Sequence, residues 1–270
     1  MTLRIGWLTT GAGPGSQRWR MFNAVHDAIR SGQLDAEMAY VFCNRERGED
    51  EGTDTLLDLV QSHKVPLVTL SSRAFRRANG GELSKHGQPL PAWRVGYDRA
   101  VAELIAAHQF DIGMLAGYML IFTPEMSRRH PFLNLHPAEP GGPVGTWQEV
   151  IRQLIDTNAS RSGVMVHLAT EELDRGPVAA YCTFLLRGGA FDRLWADGGS
   201  RALGDDDALF HAIRTQGAAR EVPLIVATLG ALADARLALA GGRIVNHEGR
   251  ELAQGLDLTA EVEASVAGEL

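Results

Sequence analysis

This sequence predicts a three-layer α/β fold: a mostly parallel sheet covered by helices on both faces, with a helical and hairpin appendage at the C-terminus. Three observations carry the prediction. Short apolar runs bounded by turn residues recur along the chain, stretches of helical spacing separate the first five, and a long late helical pattern leads into a Gly-Gly pair. A parallel partner strand needs a long crossover, usually a helix, and that helix must cover a face of the sheet.

The runs occupy residues 4–9, 37–43, 66–70, 112–116, 132–136, 164–168 and 178–185. Between them, Leu56, Leu57 and Val60, and then Tyr97, Val101, Leu104 and Ile105, recur at the spacing of one helix face. Residues 71–94 and 187–207 read as long loops rich in Gly, Arg or Asp, either lids or surface decoration. From 220 to 239 a helical pattern precedes a hairpin at Gly241 and Gly242. Residues 1–186 are expected to form the main domain and 187–270 an extension packed on it.

Composition narrows the function. Of 270 residues, 45% are hydrophobic and 22% charged, ordinary for a soluble chain with a sizeable core. The net charge of -7, with 26 scattered Lys and Arg, argues against a nucleic-acid partner, because phosphate neutralisation needs a basic face. Cys43 and Cys182 each lie in an apolar run and read as buried thiols of a cytoplasmic protein. Neither a secretion signal nor a run of roughly 18 apolar residues is present, so no membrane partner is expected.

Gly11, Gly13, Gly15 and Ser16 follow the first strand and precede a helical pattern. Backbone N–H groups of such a turn can cradle an anion at a helix N-terminus, though a plain strand-to-helix turn explains them equally well. Their spacing is not Gly-x-Gly-x-x-Gly, and Asn44 and Arg45 stand where an acid would hold a ribose, so a nicotinamide cofactor is disfavoured. At the end of the fifth strand comes Asn134-Leu135-His136-Pro137. Strand residues two apart face the same side, so an amide donor and an imidazole converge there, a pairing suited to stabilising an oxyanion with proton transfer nearby. A third segment, residues 163–177, runs from a strand into a turn carrying Asp174, which on its own reads as turn chemistry.

Taken together, these segments resemble the glycinamide ribonucleotide formyltransferase family over about residues 3–186. The matching pieces are Leu115-Ala116-Gly117-Tyr118-Met119 with Thr123-Pro124-Glu125, then Asn134-Leu135-His136-Pro137, and then residues 163–177. For the last of these the family reads Gly-x-x-Val-His-x-Val-Thr-Glu-Glu-Leu-Asp-x-Gly-Pro. The Tyr97-Asp98 pair is similar too.

The resemblance implies a formyltransferase-like, Rossmann-like fold and formyl transfer from the co-substrate 10-formyltetrahydrofolate to a small amine, with no metal. It implies that Asn134 donates to the formyl oxygen and that His136 stabilises the tetrahedral oxyanion as imidazolium or helps move the proton. Asp174 would raise the imidazolium population and position a water that relays the proton. Met119, Leu120, Ile121 and Phe122 would lie against the folate, with Thr170 and Glu171 near the pterin. Gly11, Gly13, Gly15 and Ser16 would meet the amine substrate, glycinamide ribonucleotide or a related amino compound, phosphorylated or not. His167, mid-strand, reads as structural although the family pattern includes it. A homodimer is compatible with the family.

Four departures bear on the substrate. Gln17 and Arg18 replace the family's Asn after the glycine loop, residues 138–145 replace its Ser-Leu-Leu-Pro, Leu120 replaces a common Arg, and the segment beyond Arg187 has no counterpart. Glu221 could correspond to a ribose-contacting acid, but its spacing to Pro223 differs. Hydrolysis of the same folate is the alternative activity. Hydrolases with these motifs carry an extra N-terminal domain, which is not expected here because the first strand starts at Arg4. A relative that formylates methionyl-tRNA would end in a basic domain, whereas this tail is acidic. A folate-binding protein without catalysis is the third reading, opposed by the retention of Asn134, His136 and Asp174 together.

Overall fold

The structure, a computed structural model, describes residues 2–11, 13–83, 88–197 and 207–268. It divides into two compact units, Met1–Asn134 with Ala169–Glu172 and Leu135–Leu168 with Leu173–Leu270.

The first unit contains β1 (Leu3–Thr9), α1 (Gln17–Arg30), β2 (Ala36–Cys43), α2 (Glu51–Ser62), β3 (Leu67–Thr69), α3 (Ser72–Ala78), α4 (Trp93–Ile105), β4 (Ile112–Leu115), α5 (Pro124–Arg129) and the start of β5 (Phe132–His136). Its strands pair in parallel in the order β3-β2-β1-β4-β5. The direction of travel reverses between β1 and β4, and such a switch point is where open α/β sheets receive ligands. Helix α4 buries Tyr97, Val101 and Ile105, one face at four-residue spacing, against a cluster of Leu8, Phe42, Leu115 and Phe132. Leu104, assigned to that face by spacing, is 42% exposed. Burial of each large side chain in this cluster contributes about 1.5–3 kcal/mol.

The second unit continues with α6 (Trp147–Asp156), β6 (Arg161–Leu168), β7 (Val178–Leu185), α7 (Ala190–Asp197), α8 (Ala208–Ala233), the hairpin of β8 (Ala238–Ala240) and β9 (Arg243–Val245), β10 (Leu256–Asp257) and α9 (Thr259–Gly268). β6 and β7 are antiparallel and β10 adds to β7 in parallel, so the pairing described within the large sheet is mostly parallel. Asp207 caps α8 by accepting from Leu209 N and Phe210 N. Among the described residues no helix is long and apolar enough to cross a membrane.

All seven expected strands form, and the Gly241-Gly242 turn joins a hairpin as expected. The two long loops are partly helical instead. Ser71 caps α3 by accepting from Ala74 N, and Arg76 and Arg77 sit in its last turn where cations suit the helix dipole. α7 occupies much of the second, while residues 84–87 and 198–206 lie outside the described residues. The expected 220–239 helix begins at Ala208 and ends at Ala233, before Leu237.

Candidate active site

In the second unit, β5 delivers His136, β6 delivers His167, and the turn after β6 delivers Asp174. That turn is closed where Leu168 N donates to Pro177 O at 2.8 Å, and Asp174 adopts φ 53° within it. The left-handed conformation is uncommon outside glycine, and Asp tolerates it better than most residues. It turns the Asp174 carboxylate towards both imidazoles, with Oδ2 3.5 Å from His136 Nδ1 and Oδ1 3.6 Å from His167 Nε2. All three side chains are buried. The Gly145 N–H donates to Asp174 Oδ2 at 3.3 Å.

The loop between β5 and α6 supplies the remaining partner. His136 Nε2 lies 2.8 Å from the Pro143 carbonyl oxygen, which only accepts, so Nε2 carries a proton and Nδ1 is the basic nitrogen. The loop is pinned at both ends. Glu139 pairs with Arg161 and its carbonyl accepts from Gly142 N, while Thr146 and Glu149 form a capping box at the start of α6.

Burial lowers the pKa of His136, and the opposing pull of Asp174 and the Pro143 carbonyl does not overcome it. The ring is therefore neutral near pH 7, with a negative charge placed to receive the proton it gains. The Asp174 carboxylate pulls the His136 pKa upward, and burial outweighs that pull. Burial pushes Asp174 itself upward, yet the contact with His167, the charge of His136 and the Gly145 N–H together bring it below the ordinary value. His167, read as structural from its mid-strand position, thus belongs to this group. Its appearance beside Asp174 in the 163–177 motif was the available signal.

Asn134 precedes His136 by two residues on β5 and stands opposite Leu115 of β4 in the first unit. That unit also holds the other candidate residues. Met119 is 60% and Ile121 41% exposed, whereas Phe122 is buried edge-on against Phe132 and Leu120 packs on the same cluster. Only Met119 and Ile121 of this segment present side chains outward. Ala169 leans on the cluster as well, next to Thr170, whose hydroxyl donates to Glu172 O, and Glu171, which pairs with Arg128.

The glycine loop is shaped by packing. A Cβ on Gly13 would lie 3.2 Å from Gly52 Cα, so the loop presses on the first turn of α2. Gly11 and Gly15 take φ 81° and 79°. Gly11 N donates to Thr9 Oγ1, and Ser16 caps α1 by accepting from Trp19 N. Beside the loop, Arg18 donates to Gly11 O at 3.0 Å and Arg45 to Ser72 Oγ at 2.9 Å. Burial lowers both guanidinium pKa values, and a neighbouring cation lowers each further, Arg45 for Arg18 and Arg73 for Arg45. Glu221 is buried in α8 in an ion pair with Arg214 at 2.5 Å. Cys43 and Cys182 are free and buried, which pushes their thiols up to about 11 and about 12. Neither is a thiolate nucleophile near neutral pH. No cluster of three or more metal-ligating side chains occurs among the described residues.

Comparison with known proteins decides the family. Residues 15–183, well over half of the chain, match the family model described as formyl transferase. The chain belongs to the formyl transferase family. The chain is 29% identical over 190 residues to the phosphoribosylglycinamide formyltransferase of Dictyostelium discoideum, covering 66% of this chain and 81% of that one. It is 27% identical over 149 residues to the formyltetrahydrofolate deformylase of Escherichia coli K12, covering 54% of this chain and 44% of the relative. The phosphoribosylglycinamide formyltransferase of Coxiella burnetii shares its fold, with a TM-score of 0.66 at 19% identity over 95% of this chain and 99% of that one. Family membership makes the chain an enzyme of the formyltransferase class.

Proposed function

We propose that this enzyme moves a formyl group from 10-formyltetrahydrofolate to a small, anionic amine. The observation that carries the reading is the buried neutral His136, whose basic Nδ1 faces Asp174. An amine attacking the formyl carbon forms a new C–N bond while the carbonyl oxygen gains negative charge. As the intermediate collapses, the bond to the folate nitrogen breaks and the proton lost by the amine ends on that nitrogen. Asn134 donates to the developing oxyanion. His136 takes up charge on Nδ1 as the proton moves, and the Asp174 carboxylate compensates that charge in a site with little solvent screening.

The exposed, apolar Met119 and Ile121 suit the flat body of a folate, and the backbone groups of 170–172 suit the polar edge of its pterin. Arg18, whose guanidinium donates to the Gly11 carbonyl, sets a cation beside the glycine loop and favours an acceptor that carries a phosphate or carboxylate. The phosphoribosylglycinamide formyltransferases among its relatives make glycinamide ribonucleotide the first acceptor to try.

The test is incubation with 10-formyltetrahydrofolate and a panel of amines, glycinamide ribonucleotide included, following tetrahydrofolate release by absorbance. Release that depends on one anionic amine supports the proposal. Equal release without any amine overturns it in favour of hydrolysis.

A further inference from the structure

The segment linking β4 to α5 contains no helix or strand, so its backbone polar groups need partners elsewhere. Side chains supply them. Thr10 Oγ1 accepts from Met119 N at 2.8 Å, Asp98 Oδ2 accepts from Thr123 N at 2.7 Å, and Arg94 donates to the Ile121 carbonyl. The two α4 residues thus grip the backbone on either side of Phe122.

They do so at a cost. Arg94 and Asp98 are only 1% and 2% exposed. Asp98 Oδ1 lies 3.7 Å from Arg94 Nη2, too long for a hydrogen bond, and among the described residues Arg94 Nε and Asp98 Oδ1 have no hydrogen-bond partner. A buried, imperfectly satisfied ion pair is poor for stability compared with apolar side chains of the same volume. What it achieves is conformational: the segment is fixed with Tyr118 and Phe122 buried and Met119 and Ile121 exposed.

We propose that Asp98, supported by Arg94, is a positioning residue for the donor, fixing residues 119–123 so that Met119 and Ile121 form a rigid apolar wall for the folate. The inference rests on reading residues 119–122 as the folate contact. Neither residue touches the reacting atoms; they act through the segment they hold.

The test measures binding of 5,8-dideazafolate, which carries no formyl group, by titration of tryptophan fluorescence. Amide exchange of residues 119–123 and steady-state kinetics are measured alongside. Asp98→Ala is expected to weaken binding and raise KM for the donor about tenfold or more, because the wall must now be ordered on binding. It should also speed exchange while leaving kcat within about threefold. Asp98→Asn keeps an oxygen that accepts from Thr123 N and should recover most of the affinity.

Wild-type protein that fails to bind the analogue sinks the folate-contact reading and this inference with it. Wild-type binding combined with unchanged affinity in Asp98→Ala overturns this inference alone. So does an Asp98→Asn variant as weak as Asp98→Ala, since the Thr123 bond would then not be the operative contact. If Asp98→Ala does not fold, Thr123→Pro decides by the same criteria. Thr123 has φ −71°, close to the roughly −65° of proline, so that substitution removes the donated N–H while keeping the φ that Thr123 already has.

Discussion

Asp174→Asn removes the negative charge that faces both His136 Nδ1 and His167 Nε2. The amide is the same size and can still accept from Gly145 N, so the change is electrostatic. A carboxylate and an imidazolium 3.5 Å apart attract by about 5 kcal/mol at an effective dielectric of about 20. The ground-state ring is neutral, so only the charge that develops in the transition state counts. For half to full development, about 2–5 kcal/mol is lost, which lowers kcat roughly 30- to 5,000-fold. KM for the donor should change little. The assay is tetrahydrofolate release at saturating donor and acceptor, with circular dichroism and Tm as the folding control. A folded variant whose kcat stays within about threefold of wild type refutes the reasoning.

Other expectations follow from the same geometry. The His136 pKa lies below its ordinary 6.5, so the ring stays neutral to lower pH than an ordinary imidazole and kcat/KM should fall only on the acid side of 6.5, as the ring protonates. In Asp174→Asn this acid limb should shift to lower pH, because the carboxylate that raised the pKa is gone, and a shift to higher pH would contradict it. Burial likewise lowers the pKa of His26 and His130, so the unfolded chain binds more protons just below pH 6.5 and stability declines as pH falls through that window. His26 stacks on His63 at 3.8 Å, and His26→Phe should keep the stack while flattening the slope of Tm against pH. A Cβ on Gly113 would meet the Phe132 ring at 2.1 Å, and Phe132 is fully buried. Gly113→Ala should therefore cost about 1–3 kcal/mol and lower Tm by several degrees, as a thermal melt would report.

The strands of the sheet were legible because each is a short apolar run closed by turn residues, and that signal is local. Phe132–His136 and Val178–Leu185 form over the residues expected. Helix faces were less so: Leu104 has the spacing of a buried position, yet a residue's depth depends on what packs opposite, which spacing does not encode. The short helices α3 and α7 were hidden by Gly- and Arg-rich surroundings that resemble loops. Within the candidate site, the grouping of His136 with Asp174 came from the family motif. Two facts about it depend on three-dimensional geometry: the left-handed turn that aims Asp174 at both histidines, and the Pro143 carbonyl that fixes the His136 tautomer. The roles of Arg94 and Asp98 were equally out of reach, since their partners are backbone groups more than 20 residues along the chain.

The central claim is that formyl carbon passes from a folate to an amine at this site. A single-turnover reaction with 10-formyltetrahydrofolate carrying carbon-13 in the formyl group, followed by carbon-13 NMR in the presence of glycinamide ribonucleotide, tests it most directly. The account predicts that the label appears as a formamide on the acceptor and that Asp174→Asn suppresses its appearance. Label emerging as free formate, with or without the amine, would contradict it.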